Sequence, residues 1–210
     1  MNDPLTEAAA KGAIDLAQHF LGEISKAPMS AIGGLLADRV NYWRFCNRIN
    51  LLLKAREFLE SREIKPEQIL PDIIVPLLED GSNTEDPTLA SMFAGLLASH
   101  LDAATKNESH PSYTKILAQL SPLDAQMIAD LHGTLQELSA PFGKKGISLE
   151  MATAHFGVSD AVVLLSFQNL WRLGICDHGD DALARLNQAK QIFFTDYGWS
   201  FACACLQNVR

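Results

Sequence analysis

The chain has 210 residues, of which 48% are hydrophobic and 20% charged, with a formal net charge of −8 and a sequence pI near 5.2. That length and composition suit one or two packed domains and exclude a largely disordered or fibrous chain. No apolar run approaches the roughly 18 residues a membrane-spanning helix needs, the N-terminus lacks the basic start and apolar core of a secretory signal, and Cys46, Cys176, Cys203 and Cys205 show no disulfide-like spacing, so a reduced, cytoplasmic protein with no membrane contact is expected.

The alanine-rich stretch from Thr6 to Ile24 predicts a helix that ends near Lys26-Ala27-Pro28, and Gly33-Gly34 makes a hinge before the next one. That next helix, from about Leu36 to Ser61, is the longest and carries Trp43, Phe45, Ile49, Leu52, Leu53 and Leu59. In IKPEQILPDIIVPLLEDG the apolar residues keep helical spacing, but Pro71 and Pro76 each remove a backbone donor, so two short helices are expected. Polar breaks then start helices at Asp86-Pro87, His110-Pro111 and Ser121-Pro122, with proline near the first helical position, where its missing N–H costs nothing. In the first of these, Leu89, Met92, Phe93, Leu96, Leu97 and Leu101 form one apolar stripe. Tyr113, Ile116, Leu117 and Leu120 repeat it, as do Ile128, Leu131, Leu135 and Leu138. Ser121 is placed to cap its helix, and Asp124 lies three residues on, as the acidic member of a capping box does.

The break at residues 139–146 is set as a domain boundary. Beyond it the expected order is a short helix capped by Ser148, a turn at Gly157, a second helix DAVVLLSFQNLWRL ended by Gly174, a strand at ICD, a polar loop HGDDALARLNQAK, a strand at QIFFT and a last helix at YGWSFACACL. Helix, turn, helix, strand, loop and strand is the order of a winged helix. The fold expected is thus mainly α: an N-terminal helix and hinge over residues 1–35, a helical bundle over 36–142, and a small winged-helix-like α+β domain over 146–210.

Three segments, GLLADRVNYWRFCNRINLLLKA, PLLEDGSNTEDPTLASMFAGLLAS and HPSYTKILAQLSPLDAQMI, resemble in order and spacing the abortive-infection alpha (Abi-alpha) family of bacterial proteins. The resemblance runs from Gly34 to Leu131. It implies a prokaryotic cytoplasmic protein with a role in phage defence, and it brings no catalytic residues with it.

Charge is unevenly spread. Residues 39–65 hold seven basic against three acidic side chains, and residues 66–142 two basic against eleven acidic. Such neighbours are expected to pack on one another or on a second copy of the chain, with Arg44 and Arg48, one turn apart, as candidate contacts. Nucleic acid on the basic cluster is the alternative. The acids Glu79, Asp80, Glu85 and Asp86 lack the spacing of a calcium loop and read as a solvated loop that stabilises a helix start. Six histidines show no zinc-type pairing, with His100 expected inside its helix stripe, and Cys203 and Cys205 are about 200° apart around a helix, so no metal or cofactor is expected. No nucleophile elbow and no phosphate-binding glycine loop is present in the sequence.

The winged helix names a function class. A DNA reader would use Gln168, Asn169 and Arg172 of the second helix, with Arg185 and Lys190 of the wing. Yet that helix opens on four consecutive apolar residues, Val162, Val163, Leu164 and Leu165, of which at least one must face outward. A non-enzymatic interaction or sensing protein that binds a protein partner or itself is the leading reading, and a DNA-binding regulator is the alternative.

Overall fold

The computed structural model describes residues 4–24, 39–106, 109–137, 146–177 and 191–206. The structure is mainly α, with a small three-stranded C-terminal sheet. Its contacts divide into two compact units, Met1–Ala118 with Ala204–Arg210, and Gln119–Cys203.

The first unit holds α1 (Pro4–Ile24), α2 (Arg39–Ser61), α3 (Pro71–Gly81), α4 (Pro87–Leu101) and α5 (Ser112–Leu117). Helix α4 is its centre: α2, α3 and α5 all pack on it, and α1 packs on α2. The apolar stripe read from the sequence is buried in full, and Ala94, Gly95, Ala98, Ser99 and His100 are buried as well. A stripe therefore understates this helix, because its small residues let neighbours close on the remaining faces. Burying side chains such as Phe93, Leu96 and Leu97 contributes about 1.5–3 kcal/mol each. Asp86 starts α4, its Oδ1 accepting the Leu89 N–H at 2.9 Å ahead of Pro87.

Only one helix forms where two short ones are expected. Residues 64–70 are non-helical, and α3 runs from Pro71 through Pro76. Pro71 occupies the first helical position at no cost. Pro76 forfeits one bond, to the carbonyl of exposed Asp72, where water substitutes, while Ile74, Leu77 and Leu78 remain buried. The preceding segment is pinned by the Glu67 N–H to Leu101 O at 2.7 Å and the Ile69 N–H to Ile24 O at 2.8 Å. The chain's end closes this unit, the Ser99 hydroxyl donating to Ala204 O at 2.7 Å.

The second unit holds α6 (Pro122–Glu137), β1 (Ile147–Ser148), α7 (Leu149–Phe156), α8 (Asp160–Arg172), β2 (Cys176–Asp177), β3 (Gln191–Phe194) and most of α9 (Asp196–Cys205). The sheet order is β1-β3-β2, both pairs antiparallel, with Ile147 opposite Ile192 and Cys176 opposite Phe194. Strand β1 has no counterpart in the sequence reading, since two residues carry no visible alternation. Gly157 ends α7 at φ 64°, a left-handed conformation that costs other residues roughly 1–2 kcal/mol. A side chain at Gly198 would collide with the Ile175 carbonyl, so the first turn of α9 lies hard against the backbone just before β2 only because glycine is there.

The division between units falls at Ala118, ahead of the break at 139–146 where composition alone sets it. Helix α6 packs on α8 and so joins the C-terminal unit. The hinge at Gly33-Gly34, Leu138, the break itself up to residue 145, the wing loop with His178, and the candidate DNA contacts Arg185 and Lys190 lie outside the described residues.

Ser121 does cap α6. Its Oγ accepts the Asp124 N–H at 3.1 Å, and Asp124 Oδ2 accepts the Ser121 N–H at 2.8 Å, a reciprocal capping box. Ser121→Ala is expected to lower stability by about 1 kcal/mol, read as a fall in Tm in thermal melts; an unchanged Tm would remove Ser121 from that role.

Candidate functional site

The best-organised polar cluster is built on that cap. Asp124 is 1% exposed, and its Oδ2 takes a second hydrogen bond, from Asn169 Nδ2 at 2.8 Å. The same amide nitrogen donates to Gln119 O at 3.1 Å, while Asn169 Oδ1 accepts from Arg172 Nη2 at 2.8 Å. Arg172 Nη1 then reaches Gln119 Oε1 at 3.1 Å. Asp124 Oδ1 is buried without a hydrogen-bond partner. The Cys176 thiol is pushed far above its ordinary value by burial first, then by the charges of Asp124 and Asp177. Two of the residues that a DNA reader would offer to base edges are thus hydrogen-bonded within the unit, half-buried Asn169 to Asp124 and exposed Arg172 to Gln119.

The outer face of α8 has the opposite character. Of the four apolar residues that open it, Val163 is buried and Leu164 half-buried, whereas Val162 is 43% and Leu165 66% exposed. Trp171, further along, is 51% exposed. Gln168 also faces water. The helix therefore buries one face through Val163, Phe167 and Leu170 and shows isolated apolar side chains on the other.

Arg44 and Arg48 lie on α2, each half-buried, and each has a buried Nε with no hydrogen-bond partner. Neither forms an ion pair with a described residue; Lys115 takes Asp80 at 3.1 Å. Their expected pairing with acids of the same chain is absent from the described residues. The acidic loop has the structural role read from its sequence, in that Asp86 caps α4.

Two histidines sit inside. His100 is 5% exposed, interior as its helix position predicts, but its Nε2 finds no partner. His132 Nε2 meets the Gln136 amide nitrogen at 3.2 Å and Cys203 Sγ at 3.7 Å, with the Trp199 ring centred 5.0 Å away. Cys203 is exposed, where a buried thiol is the default for an apolar helix, and Cys205 is buried. Near this, α6, β1 and α7 border an open cleft of about 420 Å³ among Gly133, Thr134, Ile147, Met151 and Ala152, crossed at its edge by His155 Nε2 and Asp130 Oδ2 at 2.9 Å. Nothing in the sequence brings Asp130 to His155 or His132 to Cys203, because each pair joins separate helices.

The sequence model of the family described as abortive infection alpha matches residues 46–205. The chain belongs to the abortive infection alpha family. Its match starts in α2, ends with α9, and so takes in both units, further than the Gly34 to Leu131 stretch on which the resemblance rests. Membership points to a function related to abortive infection. No curated protein and no solved structure matches the chain. Among the described residues of this family member, no helix is long and apolar enough to cross a membrane. Arg48 falls within the matched span and Arg44 just before it.

Burial sets a pH dependence. It lowers the imidazole pKa values of His100 and His132 below their ordinary 6.5. The unfolded chain then binds protons at these sites near that value and the folded chain only at lower pH, so stability is full above 6.5 and is lost as pH falls through it. Thermal melts at fixed ionic strength should show Tm falling from about pH 7 to about pH 5, with a shallower fall in His132→Gln. Equal slopes for the two proteins would contradict a buried, neutral His132.

Proposed function

We propose that the protein is a non-enzymatic interaction or sensing component of bacterial phage defence, and that it docks a protein partner through the outer face of α8. The order β1, α7, α8, β2, β3, the sheet order β1-β3-β2 and the leading helix α6 support a winged-helix reading of the C-terminal unit. In such a unit α8 occupies the place of the recognition helix.

The face of α8 carries this reading. A DNA reader presents amides and guanidinium groups to base edges and phosphates there. Here half-buried Asn169 is engaged with Asp124 and Arg172, although exposed, with Gln119, and the outward positions include the apolar Val162 and Leu165. An exposed leucine gains little beside phosphate, whereas burial against another protein contributes on the order of 1.5–3 kcal/mol for a full side chain. Abortive-infection family membership gives the biological setting. The four free cysteines fit the reducing cytoplasm in which this role would be played.

The expected outcome is no specific DNA binding at physiological salt in fluorescence anisotropy with DNA upstream of the gene. A partner captured by amine-reactive cross-linking of the whole protein should be lost in Leu165→Asp, with Tm unchanged because the side chain is exposed. Sub-micromolar DNA binding that survives excess random competitor and disappears in Gln168→Ala would overturn this reading in favour of a DNA-binding regulator.

A further inference from the structure

We propose that the N-terminal unit carries a self-complementary charged patch, Arg44 and Arg48 of α2 with Glu79 at the end of α3 and Glu85 in the α3–α4 turn, through which two copies of the chain pair about a two-fold axis. Asn47, between the two arginines in sequence, donates its amide to Ser82 O at 3.1 Å and Thr84 O at 3.2 Å. These bonds hold the acidic turn against the same part of α2.

The turn's inner acids are already committed, Asp80 to Lys115 and Asp86 to the start of α4. Glu79 and Glu85 are exposed and form no ion pair among the described residues, and the same holds for the arginines. Basic and acidic groups therefore lie next to each other without satisfying each other.

A two-fold axis resolves this, because it sets each copy's arginines against the other copy's glutamates, and both contacts form at once. The arginine stems are half-buried and their Nε atoms sealed from water. The guanidinium groups are thus held in place before a partner arrives, which reduces the ordering cost of binding. A carboxylate of the second copy would meet the outer Nη ends of these side chains, where a charge-assisted hydrogen bond beside a partly dry stem is strong. A nucleic acid fits the patch poorly, since Glu79 and Glu85 repel phosphate, as does a chain of net charge −8. This surface belongs to the first unit and is independent of the α8 reading.

Sedimentation of the full chain at low and high salt tests it. The wild type should dimerise, less so at high salt. Arg44→Glu with Arg48→Glu, and separately Glu79→Lys with Glu85→Lys, should each raise the dimer Kd on the order of tenfold or more. Mixing the two variants should restore pairing, because both contacts across the mixed dimer become attractive, and the protein carrying all four substitutions should pair with itself. If the arginine variant does not fold, the glutamate variant, altered only at exposed positions, decides, and wild-type pairing by it would overturn the proposal. So would a monomeric wild type, a mixture that stays monomeric, loss of the dimer in Leu165→Asp, or an oligonucleotide bound by the wild type and released by the arginine variant.

Discussion

One buried carboxylate organises the C-terminal unit. Asp124 closes the capping box with Ser121 at the start of α6 and, through the same oxygen, receives the amide of Asn169 from α8. Asn169 then passes the connection to Gln119 and Arg172. Around buried Asp124 the hydrogen bonds from Ser121 and Asn169 are electrostatically stronger than they would be in water, whereas the bonds to Gln119 O and Arg172 lie at the surface. The network fixes both the place where α6 begins and the rotation of α8 about its axis. Once α8 is held with Asn169 inward, Val163, Phe167 and Leu170 point to the core and Leu165 has nowhere to go but outward.

That rotation has a functional consequence. Asn169 and Arg172 take part in holding the helix in place, and the exposed surface of α8 combines the apolar Val162, Leu165 and Trp171 with Gln168 and Arg172. The negative balance of the chain acts in the same direction, because it opposes approach to a polyanion at long range.

The N-terminal unit rests on another constraint, the enclosure of α4. With Ala94, Gly95 and Ala98 among its buried positions, neighbouring helices approach on more than one side, and Ser99 and His100 are carried inside with the apolar residues. Ser99 finds the Ala204 carbonyl, but the Nε2 of His100 finds nothing. An orphaned imidazole nitrogen is tolerated because the neutral ring costs far less to bury than a charge. The same burial lowers its pKa, because it disfavours the charged ring.

Much of the fold was legible in the residues themselves. Proline and serine at the breaks, the i, i+3, i+4 spacing and the glycines at 157 and 174 located most of the described helices, because capping, backbone restriction and amphipathic periodicity act within a few residues along the chain. Order and spacing of those pieces also pointed to the abortive infection alpha family. Locality set the limit as well. Pro76 reads as a break, yet α3 continues through it because burial of Ile74, Leu77 and Leu78 outweighs one missing bond. Strand β1 exists only because β3 lies beside it. The unit boundary moved ahead of α6 because that helix found its partner in α8, nearly fifty residues later. The sequence by itself determined where most of the described helices start and stop, and that one of Val162 to Leu165 must face water. Only the tertiary structure decided that Asn169 turns toward Asp124, that exposed Arg172 reaches Gln119, and that Arg44 and Arg48 find no acid among the described residues, since pairing across helices depends on distances that no local pattern records.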